Sequence, residues 1–171
     1  MLFILAGALL IGVSAAALVA LPFRLMRKPI PKGILPIAGG VALVSFVLWN
    51  DYSWFDRTRG ELPERVVVLD EARYSGAIQP WTLAFPRVNA FVAMDPETAR
   101  RNENLPGIVM TDVYYLRRYA PTLTSAHLVD CNERRSAVMA NEPDFDEGGM
   151  PRDLEWRDGP IDQALIANLC A

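Results

Sequence analysis

Residues 1–23 and 33–50 are two apolar runs without a single Asp, Glu, Lys, Arg or His. The nine residues between them, RLMRKPIPK, hold every basic residue of the first fifty. A helix rises about 1.5 Å per residue, so a run of 23 residues reaches roughly 35 Å and one of 18 about 27 Å, against a hydrocarbon core about 30 Å thick. The pattern predicts a transmembrane hairpin, with helices about 2–24 and 33–50 and a connecting loop over 24–32. Pro36 and the Gly39-Gly40 pair fall in the second run. A helix in lipid tolerates both, and Pro36 is near enough to the start to serve in the first turn.

Arg24, Arg27, Lys28 and Lys32 lie in a loop short enough for the positive-inside rule. The loop is therefore expected in the cytoplasm, with the N-terminus and the large C-terminal part outside. Trp49, Tyr52, Trp54 and Phe55 cluster at the far end of the second run, where aromatic side chains anchor at a bilayer interface. A cleaved leader would carry its basic residues before a short apolar core, and here they follow the run. Ala8, Gly12, Ala16 and Ala20 recur every four residues as one small-residue stripe. Small residues let helices in lipid approach closely, so the stripe meets either the second helix, through Ala38 and Ala42, or another subunit.

Residues 51–171 are enough for one exterior domain with its own core. They hold all 20 acidic residues and 13 of the 17 basic ones, a formal charge of −7 against −3 for the whole chain. That balance disfavours a nucleic acid or an anionic headgroup as partner. The cysteines, Cys131 and Cys170, both fall outside, in an oxidising compartment where an even count points to a bridge. Such a bridge would contribute roughly 4 kcal/mol on a chain-entropy model. Two free thiols are the alternative.

Residues 51–64 read as a juxtamembrane linker and 65–171 as a periplasmic α+β domain. Strands are expected at 65–69, 81–85, 88–94, 108–119 and 124–130, with 136–140 closing a hairpin onto the last. Asp95-Pro96 predicts a helix start and a helix over about 96–103. Residues 141–151 are acidic and glycine-rich, hence a loop. A terminal helix is expected at 160–169, capped by Asp158, with Ile161, Leu165 and Leu169 on one face.

The aspartate-proline helix start at Asp95-Pro96, the strand pair leading to Asp130-Cys131, the acidic loop, Trp156 and the Leu169-Cys170 end carry a family likeness. On these residues the stretch from about Arg65 to Ala171 resembles the surface-adhesin protein E family of small proteobacterial exported domains. The resemblance implies an antiparallel sheet with flanking helices, and two cysteines joined in a disulfide.

No residue pattern of a metal centre, phosphate loop or serine nucleophile is present, and no cofactor or metal is expected. His127, Asp130 and Cys131 offer the residue types of a cysteine nucleophile with its base, but an oxidised cysteine cannot attack. Asp144, Asp146, Glu147, Gly149 and Glu155 imitate a calcium loop, although glycine at the fifth position and proline at the eighth favour an acidic surface turn. Arg117-Arg118 and Arg134-Arg135 are expected to pair with exterior acids, or to grip an acidic partner. Intramembrane ionisable residues mark transport and proton transfer, and both runs lack them. The sequence therefore predicts a non-enzymatic accessory subunit of a larger bacterial inner-membrane complex, energy-transducing (photosynthetic or respiratory). Its partners would be the bilayer and other integral membrane subunits, with pigment or lipid contacts left open. The rival is a stand-alone, membrane-tethered binding or adhesin-like module.

Overall fold

The computed structural model describes residues 2–103, 105–139, 144–146, 149–152 and 154–170, with side chains from residue 5 onward. The chain divides into two compact units, Met1–Trp54 and Phe55–Ala171.

The first unit is a helical hairpin of α1 (Leu2–Leu25) and α2 (Ile34–Tyr52), both long and apolar enough to cross a membrane. α1 continues through Pro22 and closes at Arg27, whose φ of 52° reverses the chain. α2 opens from Gly33 at φ 93°, a left-handed conformation that favours glycine. This opening puts Pro36 at the third helical position, where its missing N–H costs no intrahelical bond. The helices touch through backbone. A Cβ added at Gly39 would stand 3.2 Å from the Gly12 carbonyl oxygen, and one at Gly12 would meet Gly39 and Leu43. The small-residue stripe thus lies against α2, with Ala8 only 4% exposed and both Gly12 and Ala16 close to Gly39.

The expected linker at 51–64 is mostly helix. α2 runs to Tyr52, where the Ser53 amide and hydroxyl both bond the Trp49 carbonyl, and α3 (Trp54–Glu61) follows at once. Phe55 anchors the start of the second unit edge-on against Phe91, with ring centroids 5.2 Å apart.

That unit is an antiparallel sheet. Its elements are β1 (Val67–Tyr74), α4 (Trp81–Ala84), β2 (Arg87–Met94), β3 (Arg100–Arg101), β4 (Ile108–Arg117), β5 (Leu123–Asp130), β6 (Arg135–Val138), β7 (Trp156–Arg157) and α5 (Pro160–Leu169). Among the described residues the sheet has seven strands: six run in the order β1-β2-β4-β5-β6-β7, and the seventh, β3, pairs with β4 beyond the end of β2. Val109, Val113, Val129 and Met94 project to one face and meet Leu165, Ile166 and Leu169 of α5, forming the core. On the other face Phe91, Leu116, Leu128 and Ala137 are buried. The Cys131–Cys170 disulfide ties the end of β5 to the end of α5.

Four local expectations give way. Residues 96–103 are not one helix: a single 3-10 turn, Pro96–Thr98, gives way to β3. The Asp95 carboxylate does accept the Glu97 N–H, as a cap should, but the Thr98 hydroxyl bonds Thr111 of β4 and holds the chain against the sheet. The Arg65 guanidinium beside Asp95 keeps that carboxyl below its ordinary range. Residues 81–85 are not a strand but the single turn α4. At α5 the cap position belongs to Gly159, not Asp158, because the Asp162 carboxylate reaches back to the Gly159 N–H at 2.9 Å. The first strand runs over Val67–Tyr74, past the end expected at residue 69.

Candidate functional site

His127 sits in mid-β5 on the face that carries α5, directly opposite Thr111 and Val138, and is 2% exposed. Its Nε2 lies 3.0 Å from the Tyr115 hydroxyl, and Nδ1 has no hydrogen-bond partner among the described residues. Burial pushes the imidazole below its ordinary value, with Asp162 opposing and Arg157 reinforcing the shift. Asp162 itself accepts the Ser136 hydroxyl on one oxygen and the Gly159 N–H on the other. This is a sealed polar layer between sheet and helix, made of Tyr115, His127, Ser136 and Asp162. Cys131, proposed as its nucleophile, is closed in the disulfide.

The acidic stretch 141–151 lies partly outside the described residues, Glu147 among the excluded. Where described it makes a tight turn, with the Asp146 carboxylate accepting the Met150 N–H and Asp144 3.7 Å from Arg152. Glu155 pairs with Arg157 instead of joining the turn. No group of three potential ligands is found among the described residues. Of the arginine pairs, Arg135 reaches Asp130 at 3.6 Å and stacks on Trp156 at 4.5 Å. Arg118 is buried over Tyr119, while Arg117 is exposed.

In the hairpin unit Arg24, Arg27, Lys28 and Lys32 are all exposed around the α1–α2 turn. Trp49 and Tyr52 are exposed at the end of α2. Phe55, grouped with them in the sequence, is instead spent on Phe91 inside the sheet unit.

The feature that sequence reasoning missed is the 75–86 segment joining β1 to β2. The Thr82 side chain organises it. Its hydroxyl accepts the Gly76 N–H at 2.9 Å and donates to the Gln79 carbonyl at 2.7 Å, with no exposure at all. Around this buried polar centre Ile78 is 90% exposed, Phe85 70%, Leu83 63% and Trp81 43%. Soluble loops ordinarily do the reverse, and clustered exposed apolar side chains mark contact surfaces. The alternation of Trp81, Leu83 and Phe85 was the available signal, but it is also the signal of a half-buried strand.

A second concavity of about 320 Å³ opens on the sheet face away from α5. Met110, Leu128, Met139, Phe145 and Met150 line it, with Arg100 and Arg101 beside them. Methionines adapt to irregular apolar surfaces. In comparison with known proteins, no family model, no curated protein and no solved structure matches this chain.

Proposed function

We propose that this chain is a non-enzymatic accessory subunit of a larger bacterial inner-membrane assembly. Its hairpin packs among membrane helices, residues 24–32 face the cytoplasm, and the sheet unit lies on the periplasmic side. The observation that carries the reading is how the hairpin divides its surface. The small residues are turned inward at Gly12 and Gly39. Leu9, Leu10, Val13, Leu18, Ile37, Val41 and Val44 all stand more than half exposed on the outside. Once the internal contact is made, the remaining flanks are apolar all round, and only lipid or another membrane helix can cover them. The disulfide agrees with an oxidising side for the sheet unit.

Purification of the tagged full chain in mild detergent, followed by native mass measurement, tests the reading. A stoichiometric complex with integral membrane proteins is the expected result, with respiratory and photosynthetic assemblies the first to examine. A monomer at every detergent concentration overturns it. The methionine-lined concavity favours a second reading, a tethered binding module of the adhesin-like type. A monomer that retains a small apolar ligand through purification would select that one.

A further inference from the structure

The 75–86 loop is one half of a larger surface. The β4–β5 turn reaches the same end of the sheet, because the Arg118 N–H bonds the Asn89 carbonyl at 3.1 Å, beside the start of β2. That turn adds Tyr119 and Leu123, 55% and 66% exposed, to the four apolar side chains of the loop. The charge of this end is also unlike that of the rest. Residues 72–94 and 113–129 contain no Asp or Glu, and they carry Arg73, Arg87, Arg117 and Arg118. Arg73 bonds Glu71 at 3.1 Å and Arg87 lies over Tyr74, so the cations flank the apolar side chains and do not interrupt them. Within residues 51–171, of formal charge −7, this end thus carries Glu71 as the acid paired to Arg73, with exposed Trp, Tyr, Phe, Leu and Ile between its arginines. Aromatic and aliphatic side chains backed by arginine suit the headgroup boundary of an anionic bilayer, where each basic residue adds electrostatic attraction. The overall charge concealed this local match.

The chain supplies the proximity. Phe55, where the sheet unit begins, packs on Phe91 of β2. Phe91 lies four residues from Arg87, where the loop joins the sheet, a span of about 13 Å at 3.3 Å per residue. A bilayer that takes up the residues before Phe55 is within reach of that end.

We infer that the 75–86 loop, with the neighbouring β4–β5 turn, is a second membrane contact. Ile78, Trp81, Leu83 and Phe85 insert into the interface of the anionic bilayer in which the hairpin sits, and Arg73 and Arg117 meet its headgroups. Thr82 makes this feasible, since it satisfies the backbone polar groups of Gly76 and Gln79 internally while the apolar side chains face out. The inference rests on the hairpin spanning the bilayer.

The test uses the full chain in nanodiscs. Its own cysteines are bridged, so Leu83→Cys gives one free thiol for a polarity-sensitive fluorophore, Glu133→Cys gives a solvent control, and Val41→Cys reports on the hairpin. With phosphatidylglycerol in a phosphatidylcholine bilayer, the Leu83→Cys label is expected to shift to the blue and to be quenched by lipids brominated near the headgroup. The Glu133→Cys label stays water-like. Adding Arg73→Gln and Arg117→Gln lowers the inserted-to-free ratio roughly fivefold per arginine, and pure phosphatidylcholine lowers it as well. Hydrogen exchange of amides 76–86 in the unsubstituted chain should slow in the anionic discs, which keeps the test independent of labelling. A quenched Val41→Cys label with a water-like Leu83→Cys label in anionic discs overturns the loop contact and leaves the anchor standing. Protection of the loop only when a copurified protein partner is present overturns it in favour of protein docking. A Val41→Cys label that is not quenched overturns the anchor and the loop contact together.

Discussion

The hairpin and the 75–86 loop both turn large apolar side chains outward, but they satisfy their backbones by opposite means. In α1 and α2 the interior peptide groups are bonded along the helix, except at Pro22, which has no N–H, so the side chains are free to be apolar on all faces. The loop has no such ladder. Its backbone is held by a few turn bonds, such as Gln79 N–H to the Gly76 carbonyl and Phe85 N–H to the Trp81 carbonyl, and by the buried Thr82 hydroxyl, which ties Gly76 and Gln79 together. The hairpin's surface follows from composition alone, and the loop's is a tertiary property. A chain can therefore acquire an apolar contact surface either by length or by a single well-placed polar residue.

The largest effect on this contrast should come from the frame that carries the loop. Replacing Cys131 and Cys170 by Ser removes a bridge over a sequence separation of 39 and should cost the sheet unit about 4 kcal/mol. Denaturant unfolding followed by circular dichroism is expected to lose the sheet signal early while the helical signal of the hairpin persists. Simultaneous loss of both would show that the two units share their stability.

Next in size is Gly39→Leu, which drives a side chain against the Gly12 backbone oxygen, only 3.2 Å from where its Cβ must sit. Overpacking of this kind costs about 1–3 kcal/mol. Disulfide trapping between cysteines introduced on α1 and α2 should fall, with sheet unfolding unchanged.

Thr82→Val should act on the loop alone. Losing the hydroxyl leaves the Gly76 N–H without its acceptor, at about 1–2 kcal/mol. Amides 76–86 should exchange faster while those of α5 do not change. Unchanged protection would mean that apolar contacts, and not Thr82, hold the loop.

The smallest effect is one of pH. Burial lowers the folded-state value of His127 below its ordinary 6.5, so the unfolded chain takes up the proton first as pH falls. Stability from this group is complete above that ordinary value and is lost as pH falls toward the folded one. Thermal unfolding across this window should show a downward slope on acidification that flattens in His127→Gln, and the helical signal of the hairpin should not share it.

Much of this architecture was legible. The two charge-free runs, the Ile108 strand, the hairpin through Cys131 and the terminal helix with Leu165 and Leu169 all follow from patterns that local physics enforces. Legibility failed where a single side-chain contact overrides the local pattern. Thr98 reaches Thr111 and stops a helix that Asp95-Pro96 had begun. Thr82 turns a strand-like alternation into an outward-facing loop, and Asp162 takes the capping role assigned to Asp158. Phe55 looked like an interfacial anchor because of its neighbours, and its partner Phe91 lies 36 positions away. Summed charge hid the acid-poor end, which exists only once two distant segments are brought side by side.

The attachment of α5 has a consequence for biogenesis. The same short helix brings Leu165, Ile166 and Leu169 to the core and Cys170 to its bridge. Until it arrives, the strands made before it have an uncovered apolar face and an unpaired thiol at Cys131. Closure of the bridge would thus report that the last helix has docked, and a copy lacking it would be left with a reactive thiol that marks it as incomplete.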